Sequence, residues 1–170
     1  MKHWCRMPSP LGSLLLVEEA GRLLEIGFET GRRPSQPPID VMEDMAPFNA
    51  AIRQLEEYFA GRRTHFDLPL APRGTAFQQS VWNALIDIPF GKAVSYSDIA
   101  NAIGNPNAVR AVGLANGRNP IPIIIPCHRV IGKDGSLTGY GGGLPNKRKL
   151  LALEGIGGIG IERKSLALFD

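Results

Sequence analysis

The sequence predicts an α/β (α+β) protein in two parts: a small N-terminal domain with a short antiparallel sheet, then a mainly helical C-terminal domain containing a helix-turn-helix, winged-helix-like. Three observations predict it. Two apolar runs, residues 13–18 and 22–28, flank Glu19-Ala20-Gly21, the pattern of a β-hairpin. Phe48, Ala51, Ile52, Leu55 and Phe59 then fall at helical spacing and stop at Gly61. Beyond Pro69 and Pro72 the pattern changes to short helices broken by Gly and Pro.

Composition bounds the function. The 170 residues, 44% hydrophobic and 21% charged, are those of a soluble globular protein. Cys5 and Cys127 form neither a disulfide framework nor a metal spacing, which fits a reducing cytoplasm. No run is long enough for a signal peptide or a membrane span, so no membrane partner is expected. The net charge of +3 is unevenly spread: residues 1–72 hold 8 Lys and Arg against 10 Asp and Glu, and residues 73–149 hold 9 against 3. A basic middle segment suits a polyanion, although a solvated surface explains so modest an excess equally well.

Taken in order, residues 4–7 read as a further strand and 30–40, with Gly31 and three prolines, as a loop. The N-terminal domain, residues 1–72, is a scaffold without assignable chemistry, and 67–73 is the linker. The second domain, 73–156, opens with Thr75 and Gln78 as a capping box before Phe77, Val81, Trp82 and Leu85. That helix runs to about Asp87, where Pro89-Phe90-Gly91 breaks it. A short helix from Val94 to Gly104 and another from about Asn107 to Ala115 meet through Gly104-Asn105-Pro106, with the small Ala100 at their crossing. Such a pair is a helix-turn-helix or an ordinary αα-corner. Asn146, behind Pro145, caps a last helix through Leu150, Leu151 and Leu153 to Glu154, stopped by Gly155. The tail, 157–170, carries no signal.

The chemistry centres on the apolar run 121–126, which ends between prolines on Cys127 and His128. Pro122 and Pro126 forbid an ordinary helix and make a poor central strand, leaving a buried, extended connector. Neighbours in an extended chain point to opposite faces, so Cys127 and His128 can cooperate only if the chain turns there or a water joins them. A buried cysteine is most often a small hydrophobe. His128, however, is the only histidine in the second domain, and a thiol needs a base to become a nucleophile. Glu154 is the acid best placed to orient that imidazole, although its spacing alone fits a routine helix-end glutamate. Residues 132–143 hold six glycines around Tyr140, a loop that a ligand can approach closely.

Pro126-Cys127-His128-Arg129-Val130, preceded by Gly117-Arg118-Asn119-Pro120 and followed by Gly139-Tyr140-Gly141-Gly142-Gly143, resembles the O6-alkylguanine-DNA alkyltransferases. The resemblance implies that Cys127 takes the alkyl group from guanine O6, with O4 of thymine left open, in a single irreversible event, without metal or cofactor. It implies that His128 activates the thiol through a water, that Glu154 holds His128, and that Asn119 braces the thiol segment. It places Tyr96, Val130, Tyr140 and Gly141 around a base flipped out of double-stranded DNA. Arg110 would fill the vacated place from the minor groove, with Ala108, Ala111 and Asn116 also contacting DNA. The protein would act as a monomer, with cooperativity along DNA left open.

Three departures mark this chain within that resemblance. Gly141 stands where some relatives have serine, so contacts there fall to the backbone. Only Cys5, His3 and His65 are available for an N-terminal zinc, so none is expected, and no methylphosphotriester-sensing domain is expected either. Two rival classes remain at this level: a helix-turn-helix regulator in which Cys127 is core, and a cysteine hydrolase. Reactivity of the thiol toward modified DNA separates them.

Overall fold

The computed structural model describes residues 1–156; the tail set apart above lies outside the described residues. The chain divides into two compact units, Met1–Arg73 with Pro120–Pro122, and Gly74–Asn119 with the chain from Ile123 onward. The return of Pro120–Pro122 to the first unit had no sequence signal; within that unit the Ile26 N–H donates to the Pro120 carbonyl at 2.9 Å.

The first unit is built on β1 (Lys2–Met7), β2 (Leu14–Glu19), β3 (Arg22–Phe28) and β4 (Met42–Glu43), in the sheet order β3-β2-β1-β4. The first three are antiparallel, while β4 lies parallel to β1. Between β2 and β3, Ala20 and Gly21 both have positive φ (53° and 81°), the two-residue geometry that matches strand twist. β2 is unbroken in its apolar run because it is buried on both faces. Leu15 and Val17 pack with Trp4 and Leu24, and Leu14 and Leu16 fill the other side. After a 3-10 turn, α1 (Asn49–Phe59) buries Ala51, Gln54, Leu55 and Tyr58. Buried Gln54 is satisfied by the Asp67 backbone, donating at 3.0 Å and accepting at 2.9 Å.

The second unit begins at Gly74, where a Cβ would strike the Trp82 ring. Its elements are α2 (Ala76–Ile86), β5 (Val94–Ser95), α3 (Tyr96–Ala102), α4 (Val109–Gly117), β6 (Val130–Ile131) and α5 (Leu144–Leu153). The Thr75 capping box forms, with Gln78 N–H to Thr75 Oγ1 at 3.1 Å and Thr75 N–H to Gln78 Oε1 at 2.9 Å. Buried Trp82 ties α2 to α4 through a 2.9 Å hydrogen bond from Nε1 to the Ala115 carbonyl. Ala100 is fully buried on α3, a helix that packs against α4.

Three local expectations are corrected. The helix read from Val94 starts at Tyr96, because Ser95 is its cap, closed by Asp98, and Val94 and Ser95 pair in parallel with Val130 and Ile131. The following helix is displaced two residues, to Val109–Gly117. Asn146 does not cap α5 from outside: it sits in the first turn with Nδ2 donating to the Gly142 carbonyl at 2.9 Å, and Gly143 (φ 91°) holds the cap position. No helix among the described residues is long and apolar enough to cross a membrane.

Candidate active site

The apolar run is not extended throughout. Ile123 has φ 76°, a left-handed backbone rare for a β-branched residue, and the chain bends there while Ile121, Ile123 and Ile125 stay fully buried. Cys127–Arg129 then forms one turn of 3-10 helix, the Arg129 N–H donating to the Pro126 carbonyl at 3.0 Å. This turn corrects the extended reading, and it supplies the bend that neighbouring Cys127 and His128 require. Successive side chains on a 3-10 turn point about 120° apart, so the three residues face three directions.

His128 turns into the core. Its Nε2 lies 2.7 Å from Glu154 Oε2, and neither side chain has any exposed surface. An ionised carboxylate only accepts, so Nε2 carries the proton and Nδ1 keeps its lone pair. No described protein atom bonds that Nδ1. Burial holds the His128 pKa below the ordinary imidazole value, helped by the positive Arg129 and Lys147 and opposed by Glu154. The imidazole is therefore neutral near pH 7, a proton acceptor at Nδ1.

Glu154, at the C-terminal cap of α5, also takes Arg129: Nε donates to Oε1 at 2.7 Å and Nη2 to Oε2 at 3.0 Å. Arg129 Nη1 reaches the Ile88 carbonyl at 2.7 Å, and the Gly91 N–H donates to Glu154 Oε1 at 3.3 Å. One carboxylate thus locks the turn to α5. A buried carboxylate needs this many donors to stay ionised.

Cys127 is buried, which pushes its thiol up to about 11; a hydrogen bond from Asn119, the charge of Lys147 and the Tyr140 hydroxyl pull the other way. The resting group is a thiol, and its anion, once formed, has three stabilisers around it. Asn119 also fixes the backbone before the thiol, its Nδ2 donating to the Ile125 carbonyl at 2.7 Å.

Lys147 is the residue that sequence reasoning missed. It has no exposed surface, its Nζ donates to the carbonyls of Val130 at 2.7 Å and Thr138 at 3.3 Å, and burial lowers its pKa to about 8. A signal was present: Lys147, Leu150, Leu151 and Glu154 follow the i, i+3, i+4, i+7 spacing of one helix face.

Tyr96, first residue of α3, places its hydroxyl 2.5 Å from Thr138 Oγ1 in the glycine-rich loop. Gly141 is exposed in that loop, and a Cβ there would lie 3.7 Å from the Gly117 carbonyl. The Val130 carbonyl is already held by Lys147, and the Cys127 carbonyl by the Val130 N–H and by Asn116. Arg110 and Ala111 are exposed on α4, and Ala108 is half-buried at its cap. Asn116 is a correction. It is 3% exposed and its Nδ2 faces the Cys127 carbonyl at 3.4 Å, so its side chain lies behind the thiol segment and not on the open face of α4.

The family model described as 6-O-methylguanine DNA methyltransferase, ribonuclease-like domain, matches residues 3–72, and that for the DNA binding domain matches residues 76–156. The chain belongs to the 6-O-methylguanine DNA methyltransferase family. It is 54% identical over 153 residues to the methylated-DNA--protein-cysteine methyltransferase of Methanosarcina acetivorans, covering 90% of this chain and 98% of that one. The enzyme of the same name from Mycobacterium tuberculosis is 51% identical over 159 residues, 91% of this chain and 93% of the relative. Among solved structures, the O6-methylguanine methyltransferase of M. tuberculosis superposes with a TM-score of 0.85 at 47% identity over the whole of both chains. The M. tuberculosis OGT in complex with DNA gives 0.83 at 48% over 99% of each.

Proposed function

We propose that this methyltransferase-family chain repairs alkylated duplex DNA by moving the alkyl group from O6 of guanine to the Cys127 sulfur. The observation that carries the reading is the pairing of a buried thiol, ringed by Asn119, Lys147 and Tyr140, with a neutral His128 whose free nitrogen is a base. His128 Nδ1 takes the thiol proton through a bridging water, and the imidazolium so formed is held by Glu154. The thiolate attacks the alkyl carbon in line; the S–C bond forms as the C–O6 bond breaks, and the electron pair stays on guanine. The Tyr140 hydroxyl donates to the departing base, and the proton removed from the thiol restores neutral guanine.

The lesion must leave the stack to reach a buried sulfur, so the base is flipped, with Arg110 and Ala111 on the open face of α4 against the minor groove and Tyr96 at the pocket wall. The site needs no metal or cofactor for this displacement, and the protein works as a monomer. The product is a thioether, which no residue of the site can cleave, so each molecule acts once. Titrating lesion against protein tests this: repair stops at one equivalent per chain, and continued turnover overturns the stoichiometric reading.

A further inference from the structure

α4 turns Val112, Ala115 and Asn116 inward and leaves its opposite face open. On that face Arg110, Leu114 and Arg118 are exposed and stand four residues apart, a stripe about 12 Å long. Leu114 is 67% exposed, against 48% for Ile86 and 36% for Val109, the other large apolar side chains open to solvent in the described part of this unit. One exposed leucine is ordinary. Its place between two uncommitted cations is not. The arginine ion pairs among the described residues use Arg6, Arg63, Arg73 and Arg129, never Arg110 or Arg118, and α4 contains no acidic residue.

A stripe that is cationic, apolar and cationic has its complement in a surface with anionic rails and an apolar wall between them. A DNA groove has that pattern, with phosphates at its edges and deoxyribose along its sides. A helix about 10 Å across exceeds the minor groove, about 6 Å wide, so side chains on the leading face must reach in or the groove must open. Resting on the DNA reading above, we infer that Leu114 is the apolar contact that seats α4 against the deoxyribose wall, and that Arg118 holds a phosphate at the far end of the helix from Arg110. This adds two residues to the DNA surface and assigns them different work. Leu114 contributes contact without charge, and Arg118 contributes charge.

The test compares a duplex carrying one O6-methylguanine with the free base O6-benzylguanine, which requires the thiol and no groove. For Leu114→Ser the ratio of duplex rate to free-base rate falls about tenfold, Leu114→Met restores it, and the salt dependence of duplex binding stays as in the wild type. For Arg118→Gln the slope of log affinity against log salt becomes shallower by about 0.9, the release expected for one phosphate. Unchanged ratios and slopes in both variants overturn the inference. If the wild type alkylates with neither substrate, the alkyl-transfer reading fails instead, and fluorescence anisotropy on an undamaged duplex still decides the stripe: equal affinity for wild type and Leu114→Ser rejects it.

Discussion

Glu154 Oε2 and His128 Nε2 meet at 2.7 Å with no solvent on either side chain, and the same carboxylate carries Arg129. Removing it strands a neutral imidazole without its acceptor and leaves a guanidinium buried without a counter-charge. Glu154→Ala should lower unfolding free energy by about 3–5 kcal/mol, the scale for breaking a buried ion pair, measured by denaturant titration. Glu154→Gln keeps an acceptor for Nε2–H and should lose less stability, while its rate of duplex repair falls because the imidazolium is no longer neutralised.

The pH dependence of repair follows from the depressed His128. Protonation of Nδ1 abolishes the base, and burial delays that protonation to below the ordinary histidine range. Single-turnover rates should therefore hold level down to about pH 6.5 and fall only in more acid solution. A midpoint above the ordinary histidine value would contradict the neutral, buried imidazole.

Stability at alkaline pH has two opposing contributions. Lys147, lowered from 10.5 to about 8, binds fewer protons folded than unfolded between those values, so its contribution grows with rising pH across that window and is lost as pH falls through about 8. Cys127 and Cys5, each raised from 9.0 to about 11, act in reverse: their contribution is complete below 9 and lost as pH rises toward 11. Unfolding free energy relative to Lys147→Met should rise from pH 8 to 10.5. A flat difference would show that the ammonium is not titrating in the buried site.

The Tyr140 hydroxyl acts on the Cys127 thiol, pulling its pKa down against burial. Tyr140→Phe should slow the single-turnover alkyl transfer about 10²-fold, the scale of one lost donor to a developing charge, with duplex affinity unchanged. Equal loss in affinity and rate would make the residue a binding contact only.

Asn119 fixes the carbonyl of Ile125 just before the thiol. Asn119→Ala removes one of the two donors to that carbonyl and leaves it the Cys127 N–H alone, at a cost of about 0.5–1.5 kcal/mol, and repair should slow because the approach through Ile123 is held less firmly. Chemical denaturation and single-turnover kinetics report the two effects separately.

Much of this was legible from the chain. Capping at Thr75, the hairpin turn at Ala20-Gly21 and the apolar face of α1 are local rules, and local rules write themselves into short windows of sequence. What escaped depends on distant partners. β4 and β5 are two residues each and exist only because β1 and β6 pair with them. Val94 and Ser95 look like the start of a helix until Ser95 is seen to cap it. Lys147 was hidden at the head of a run of three cations, followed by Arg148 and Lys149, although its helical phase with Leu150, Leu151 and Glu154 marked it as inward. Asn116 failed for the complementary reason: it lies next to the exposed residues in sequence, but its helical phase turns it to the thiol segment. Arg129 was read only as part of a motif, and its bidentate hold on Glu154 needed the turn at Cys127–Arg129 to be seen.

The most direct test of alkyl transfer is intact-protein mass spectrometry after incubation with an equimolar duplex bearing one O6-methylguanine, for the wild type and for Cys127→Ser. The account predicts a single added methylene mass in the wild type, mapped by digestion to Cys127 and absent from the variant. Folded wild-type protein that binds the duplex and gains no mass, or gains it at Cys5, would contradict it.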